Sequence, residues 1–347
     1  MRRHAARSVC SFVVTLLAAN VALVVALDRA PPRWHDPEYG KRLGLLIERR
    51  REQPGRPFVV ALGSSRVAIG LHPASLPAAS SCGPALFNMA LVGSGPVMEL
   101  ICFRRLLADG VRPDAVLIEY WPAFLHEAGS YHEAARFDVH RLRPCDERAV
   151  CENFPDPARR LRDWHVARAL PLRTHRQNVW NQLLPGGLPR SARIDGLWTR
   201  IDPWGRLADR DTVGDAERLT LKDVHTDYYR GLFVGYEVSE VADRGLRQLL
   251  RECAEAGIPA ALLLMPDSPA FAEWVPPDAV RRAADHERQL RADLAVPVID
   301  ARGWIAAAHL PDRVHLLTPG AAEFTRRLHG ELARVFPQFA GPSGGAR

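Results

Sequence analysis

Nine residues, Phe58-Val-Val-Ala-Leu-Gly-Ser-Ser-Arg66, decide the expected fold of this chain. Phe58 to Leu62 are apolar and β-prone, so they predict a strand buried on both faces of a sheet. Gly63 follows at once, and a glycine at a strand end lets the backbone turn sharply. In a parallel sheet such a turn lies at the carboxyl edge, where ligands bind. Ser64, Ser65 and Arg66 are therefore expected at a functional edge.

The same alternation of short apolar strands and helical stretches continues outward from this segment. Proline stands at the start of the first predicted helix, and Gly257 follows the second as a C-cap. Strands alternating with helices predict an α/β fold, a flavodoxin-like three-layer α/β/α arrangement with a parallel sheet. The further strands are expected at 85–89, 114–120, 259–265 and 296–299, and the helices at 96–108, 238–256, 276–294 and 318–335.

The N-terminus has the pattern of a membrane anchor. Basic residues at positions 2, 3 and 7 precede an uncharged stretch at 8–27, and Asp28 ends it. About 20 such residues are enough to cross a hydrocarbon core as a helix, and the preceding positive charge predicts a cytoplasmic N-terminus. A cleaved signal peptide is the alternative, although no small-residue cleavage site follows. Either way, the rest of the chain is expected outside the cytoplasm, here as a single-pass cell-membrane protein.

Charge and cysteine content exclude two classes of function. The net charge is +6, but the chain has only two lysines, and its arginines are interleaved with acidic residues. Without a basic, aromatic stripe, no nucleic-acid partner is expected. The six cysteines include no Cys-x-x-Cys pair, which argues against a zinc or dithiol redox site. Cys145 and Cys151 are the expected disulfide in the exported part.

The chain divides into four expected parts. Residues 1–30 are the cytoplasmic segment and transmembrane signal anchor, 31–56 a stalk with a short helix, 57–336 the catalytic domain, and 337–347 a disordered tail. Within the domain the strand–helix rhythm is lost at about 124–236. This region is rich in Arg, Trp, Pro and Gly, so an insertion that overhangs the functional edge is expected, with mostly structural tryptophans.

A second motif comes before the last predicted helix. It reads Asp312-Arg-Val-His-Leu-Leu-Thr-Pro-Gly320, with Thr318 and Pro319 suited to start that helix. A serine hydroxyl becomes a nucleophile only when an imidazole accepts its proton, and a carboxylate must orient that imidazole. Asp312 and His315 are three residues apart on a loop, so both can reach one serine.

Together these motifs resemble the SGNH or GDSL-like hydrolase superfamily over residues 57–125 and 237–336. The resemblance implies the SGNH hydrolase fold, with Ser65 as nucleophile, His315 as general base and Asp312 as its orienting carboxylate. Asn88-Met-Ala-Leu-Val-Gly93 resembles the block that supplies the oxyanion-hole glycine. The implied oxyanion donors are the N–H groups of Ser65 and Gly93, with Gly95 as the alternative to Gly93. Ser64 and Arg66 are the expected substrate contacts.

One block departs from the family. Where it usually has Gly-x-Asn-Asp, whose asparagine is a third oxyanion donor, this chain reads Ile118-Glu-Tyr-Trp-Pro122. With this departure and its N-terminal anchor, the chain resembles the cell-envelope members of the superfamily that handle acyl groups. The expected function is therefore an extracytoplasmic serine esterase or O-acyltransferase without cofactor. Its expected partners are an acylated glycan or envelope polymer, the membrane, and an integral-membrane acyl donor protein.

Two other interpretations stay open at this point. The missing asparagine also fits a non-catalytic scaffold or binding protein of an envelope assembly. His126-Glu127 and His132-Glu133 resemble metal ligands. Their six-residue spacing does not put both histidines on one helical face, so no metal site is expected.

Overall fold

The computed structural model describes residues 2–77, 83–136, 139–154, 156–187, 200–214 and 228–339. The chain forms two compact units, Met1–Lys41 with Phe137–Thr199, and Arg42–Arg136 with Arg200–Arg347. The predicted anchor, 1–30, lies in the first unit, and the division into anchor, stalk, domain and insertion stays a prediction. The first boundary falls inside one helix, and the predicted insertion contributes to both units. The end of the predicted tail, from 340 onward, lies outside the described residues.

The larger unit is built on one parallel sheet, which confirms the predicted α/β class. Its strand order is β2-β1-β3-β4-β5, with every neighbouring pair parallel. This is the flavodoxin-like order, in which the chain reverses direction across the sheet beside β1 and β3. The strands are β1 Phe58–Leu62, β2 Ala85–Asn88, β3 Ala115–Glu119, β4 Ala260–Leu264 and β5 Val298–Asp300.

Helices cover both faces of this sheet. The helices of this unit are α3 Ser65–Gly70, α4 Pro96–Ala108, α5 Pro122–Leu125, α6 Glu127–Arg136, α11 Glu240–Glu255, α12 Pro269–Ala272, α13 Pro277–Leu294 and α14 Thr318–Val335. On one face α4 packs against α11, and α11 packs against α13; α3 packs against α14. The strands between them are almost entirely buried, as continuous apolar runs require.

Local sequence signals fix the element ends. Pro96 occupies the first turn of α4, where its missing N–H costs no hydrogen bond. Gly257 follows α11 with a φ of +61°, the left-handed conformation that glycine adopts without a Cβ clash. Thr318 begins α14, with Pro319 in its first turn. These three signals agree with the predicted boundaries to within two residues.

The smaller unit contains the predicted anchor. Helix α1 Arg2–Arg29 includes a stretch, Ala6–Arg29, that is long and apolar enough to span a membrane; an 18-residue window within it has a mean hydropathy of 2.5. The other helices wholly within this unit are α7 Glu147–Asn153, α8 Pro157–Ala169, α9 Pro171–Thr174 and α10 Arg176–Leu183. Trp164 is buried and donates its Nε1–H to the Leu142 carbonyl at 3.2 Å, a structural role of the kind predicted.

Three features of the predicted stalk and insertion differ from expectation. The stalk helix is α2 Pro37–Glu52, and its side chains Tyr39, Arg42 and Leu46 are buried, so it packs as part of the folded protein. Residues 201–207, in the larger unit, form a tight turn that is bonded to β2. The Asn88 N–H donates to the Trp204 carbonyl at 3.0 Å. The predicted Cys145–Cys151 disulfide is not formed.

Candidate active site

Ser65 lies where the sequence predicted, at the turn between β1 and α3. Ser64 is the N-cap of this short helix, and its Oγ accepts the N–H of Arg66 at 3.2 Å. Such a cap satisfies a helix N–H that has no partner within the helix. The cap leaves Ser65 as the first residue of the helix, half-buried at the carboxyl end of β1.

The two motifs meet at this turn, although 250 residues of sequence separate Ser65 from His315. The Ser65 Oγ lies 2.8 Å from His315 Nε2, and the other ring nitrogen, Nδ1, lies 2.6 Å from Asp312 Oδ2. Asp312 Oδ1 also accepts the backbone N–H of His315 at 2.8 Å. The carboxylate thus fixes the imidazole proton on Nδ1 and leaves Nε2 to accept the serine proton.

Arg313 supports this arrangement through its backbone. Its φ is +76°, in the left-handed region that non-glycine residues rarely adopt. Its carbonyl accepts the N–H of Ser268 at 3.1 Å, and its guanidinium donates to the Ala270 carbonyl at 2.8 Å. These contacts with the segment after β4 hold the sharp turn that lets Asp312 and His315 face each other.

The charges of the pair reinforce its geometry. Burial works to raise the pKa of Asp312, but the charge and hydrogen bonds of His315 outweigh it and leave this pKa far below the usual range. Burial works to lower the pKa of His315, and the charge and hydrogen bond of Asp312 reverse this, so its pKa is raised. The pair therefore favours an ionised carboxylate and an imidazole of increased basicity.

Glu119 supports the turn Gly63–Arg66, which we call the nucleophile turn after the predicted role of Ser65. Sequence reasoning missed this role of Glu119. Its Oε2 accepts the N–H of Ser64 at 2.6 Å, and its carboxylate lies 3.8 Å from the buried guanidinium of Arg66. A Cβ on Gly63 would come within 2.9 Å of Glu119 and 2.5 Å of Val67. Position 63 thus requires glycine, because Glu119 and Val67 approach its backbone too closely for a side chain. The available signal was an acidic residue ending a buried strand, which needs a partner inside the protein.

Replacing Glu119 by glutamine is expected to lower the free energy of unfolding by about 3 kcal/mol. The amide still accepts a hydrogen bond, but the buried Arg66 guanidinium loses its neighbouring charge. Chemical denaturation followed by tryptophan fluorescence measures the change. The matched control is Glu323→Gln, which breaks a half-exposed ion pair with Arg327 and should cost below about 1 kcal/mol. Equal losses in the two variants would contradict the role given to Glu119.

The loop after β2 carries the predicted oxyanion glycine. Gly93 has a φ of +76°, a conformation that favours glycine. Asn88 ties this loop to α3, because its side-chain amide donates to the carbonyls of Val67 and Leu71 at 2.8 and 2.9 Å. Gly95, the alternative donor, is already used: its N–H donates to Glu133 Oε1 at 3.0 Å. The bond of Gly95 argues against the alternative, and Gly93 stays the predicted oxyanion donor.

Glu133 is a buried carboxylate at the start of α4. Besides Gly95, it accepts the N–H of Met98 at 2.5 Å, so it caps this helix from α6. In the sequence it resembles a metal ligand beside His132, and the described residues contain no group of three or more metal-ligating side chains. Burial raises its pKa to about 7 despite these backbone hydrogen bonds. Burial, with the charges of Glu119 and Glu133, also holds the pKa of Glu99 well above its usual range.

The raised pKa of Glu133 predicts a stability that depends on pH. The folded state binds a proton that the unfolded state releases above about pH 4.5, so this contribution is complete below that pH and is lost as the pH rises through about 7. Its size is about 3 kcal/mol. We expect Glu133→Gln to reduce the loss of unfolding free energy between pH 4.5 and 8, with Glu99 supplying what remains. Identical pH profiles for the variant and the wild type would contradict this prediction.

The end of β3 lacks the asparagine of the SGNH pattern, and its polar groups are arranged differently. The Tyr120 hydroxyl donates to the Ala283 carbonyl at 2.8 Å, so its proton is already used within the protein. Trp121 is buried, with the Arg66 guanidinium 5.0 Å from its ring centre. Its Nε1–H meets no acceptor among the residues that the structure describes. An indole N–H therefore remains as a donor beside the nucleophile turn.

An apolar cavity of about 360 Å³ lies at the carboxyl ends of β3 and β4. Arg66, the neighbour of Ser65, lines it, and Asp267 and Arg302 are its other charged groups near the strand ends. Burial raises the pKa of Asp267. A larger hollow of about 480 Å³ lies at the amino ends of β4 and β5, away from Ser65. The apolar walls of the smaller cavity include Trp121, Phe233, Phe271, Val275, Ala279 and Ala283.

The two predicted substrate contacts have structural partners. Ser64 is buried and caps α3. Arg66 is also buried, and its guanidinium donates to the carbonyls of Met265 and Pro266 at 3.1 and 2.9 Å. These bonds join the nucleophile turn to the end of β4. Substrate contact stays a prediction for both residues, and for Arg66 it concerns the cavity that it lines.

Comparison with known proteins gave matches only among solved structures. No family profile matches the chain, and no curated protein matches it. Solved structures that match include the lipase/acylhydrolase from Enterococcus faecalis, at 12% sequence identity and a TM-score of 0.33. That match covers 79% of this chain and 96% of the other.

Proposed function

We propose that this protein is a membrane-anchored, SGNH-type serine esterase or O-acyltransferase that acts on acyl esters of an envelope polysaccharide. The observation that supports it most is the hydrogen-bonded line from Ser65 Oγ through His315 to Asp312. Such a line at the carboxyl edge of a parallel sheet is the arrangement that activates a serine for attack on a carbonyl.

The proposed reaction has two halves. Ser65 Oγ attacks the acyl carbonyl carbon while its proton moves to His315 Nε2, and Asp312 stabilises the imidazolium. The backbone N–H groups of Ser65 and Gly93 hold the oxyanion, which collapses when the leaving alcohol takes the proton from His315. Water or a sugar hydroxyl then gives its proton to the same nitrogen and attacks the acyl-serine. The second oxyanion collapses as the bond from the acyl carbon to Ser65 Oγ breaks, and this Oγ takes the proton back from His315. The product is a free acid or a new ester.

The surroundings of the site suggest how substrate is held. The apolar cavity beside Arg66 suits the hydrocarbon part of an acyl group. The Nε1–H of Trp121, which meets no acceptor in the described part of the chain, is a donor for a substrate oxygen, in the region where the SGNH pattern has an asparagine. The apolar stretch Ala6–Arg29 supports anchoring with the catalytic unit outside the cytoplasm, close to envelope polymers and to an integral-membrane acyl donor.

A covalent probe tests the proposal directly. A fluorophosphonate should label the purified full-length protein, and peptide mass spectrometry should place the label on Ser65. The matched control is Ser75→Ala, because the Ser75 hydroxyl lies outside the candidate site and only donates to the His72 carbonyl at 2.6 Å. This variant should label like the wild type. Labelling that spares Ser65 would reject the nucleophile assignment.

A non-catalytic scaffold is the second candidate function. The observation that favours it is the use of Glu119 as a support for Ser64, where related proteins have an oxyanion donor nearby. A scaffold has no reason to activate Ser65, so failure of the intact, folded protein to react with the probe would favour this second function.

A further inference from the structure

The smaller compact unit exposes an unusual number of large apolar side chains around the end of the anchor helix. They belong to α8, α9 and α10 and to the residues next to these helices. Monomeric soluble proteins seldom present such a group together, and it normally marks an interaction surface. We call these residues the anchor-flanking surface: Val166, Leu170, Leu172, Trp180, Leu183 and Leu184, with exposed fractions of 55, 46, 63, 47, 65 and 55%.

Contacts with α1 fix the depth of one part of this surface. The Asn20 side-chain amide donates to the Ala169 carbonyl at 2.8 Å, so Leu170 and the start of α9 lie beside Asn20. Asn20 is seven residues before Leu27, the last residue of the uncharged run 8–27, which places it about 10 Å inside the end of that run. If α1 spans a membrane, this part of the surface meets the outer acyl chains.

The other part lies at the end of the apolar stretch. His35 Nε2 is 3.0 Å from the Leu27 carbonyl, so the chain after α1 folds back to that level. Helix α10 binds the folded-back segment, because Asn178 donates to the Trp34 carbonyl at 3.3 Å and Gln182 to the Arg33 carbonyl at 2.8 Å. The exposed residues of α10 therefore lie at the headgroup level.

Charges in this unit match that position. The Arg168 guanidinium pairs with Asp28, the acidic residue at the end of the span. Arg173 and Arg176 are exposed between the apolar side chains of α9 and α10, where they suit anionic headgroups. Trp180 has the amphipathic ring that is enriched at membrane–water interfaces.

We infer that the anchor-flanking surface lies beside α1 in the membrane–water interface on the extracytoplasmic side, so that a lipid bilayer covers it. Its depth of about 5–10 Å is that of interfacial amphipathic helices. The inference rests on the proposed anchor and is independent of the hydrolase assignment. The smaller unit would then attach the protein to the membrane in two ways. Helix α1 spans the bilayer, and the anchor-flanking surface lies in its interface.

Site-specific quenching tests this inference on the full-length protein. An environment-sensitive dye is attached to a cysteine at position 172 or 183, and the protein is reconstituted in vesicles of phosphatidylcholine and phosphatidylglycerol. We expect lipids brominated near the headgroup to reduce the dye fluorescence by about half, as shallow burial requires. In the parent variant the cysteines at 10, 82, 145 and 151 are serine; the two that remain, Cys102 and Cys253, are buried.

Two control positions separate the possible failures. A dye in place of Leu17, within the span, must be quenched by lipids brominated deep in the chain, which establishes insertion of α1. A dye in place of the exposed Arg159, near the start of α8 and about 15 Å along it from Ala169, should be quenched far less. Quenching at 17 without quenching at 172 and 183 would overturn the inference, and would indicate that a protein or solvent covers this surface. Failure at 17 would overturn the anchor as well.

Discussion

Replacing Ser65 by alanine is expected to lower kcat toward an aryl acetate by on the order of 10⁵- to 10⁶-fold, and to abolish fluorophosphonate labelling. The reason is that the Ser65 hydroxyl is the group that lies within hydrogen-bond distance of His315 Nε2, and the variant removes it. The measurement is the release of the phenolate by purified full-length protein. The fold should survive, because Ser65 is half-buried and only its Oγ is lost.

The companion variant His315→Ala should show a similar loss, since the serine then has no base and the two residues act as a unit. Its double variant with Ser65→Ala should be no slower than either single variant. Additive losses, or near-normal turnover in either single variant, would show that a different group performs the chemistry.

Replacing Asp312 by asparagine is expected to lower kcat by on the order of 10³- to 10⁴-fold, because an amide no longer fixes the proton on His315 Nδ1. Asp312 also raises the pKa of His315 against the opposing effect of burial. Serine attack requires the neutral imidazole, so wild-type kcat/KM should fall as the pH drops through this raised pKa. In the variant the acidic limb should move to lower pH, because burial and the charge of Arg66, which both lower the pKa of His315, are then no longer outweighed by the Asp312 carboxylate.

A full pH–rate profile of the wild type and Asp312→Asn measures both effects. Loss of activity with an unchanged acidic limb would mean that Asp312 does not set the basicity of His315. Asp267→Asn is the matched control, since Asp267 is a second carboxylate at the carboxyl edge of the sheet, in the cavity. It should leave the acidic limb in place.

Prediction from sequence succeeded where the pattern was local. The run from Phe58 to Leu62 has no polar residue, so it could only be a buried strand, and the structure has it with the same bounds. The last helix, Thr318–Val335, was equally readable, because a residue suited to helix starts and a proline mark its first turn. The candidate residues Ser65, Asp312 and His315 came from motifs at the ends of such elements.

Prediction was weaker where partners are distant in sequence. Glu119 was read only as the place of a missing asparagine, but in the structure it holds Ser64 and faces Arg66. Gly93 and Gly95 could not be told apart until the position of Glu133 was known, because its bond to Gly95 crosses 38 residues of sequence. The turn at 201–207 has no strand or helix period, although its backbone bonds to β2 and to α3.

The sequence by itself determined the α/β class, the bounds of the main strands and helices, the apolar N-terminal helix and the loops that carry the candidate residues, because each depends on periodicity or capping over a few neighbouring residues. The tertiary structure alone decided that Ser65 and His315 meet at 2.8 Å, that Glu119 and Arg66 support the turn, and that α10 lies beside the end of α1. The physical reason is that buried charges and hydrogen-bond donors take whichever partner the packing brings near, and a linear pattern does not specify that partner.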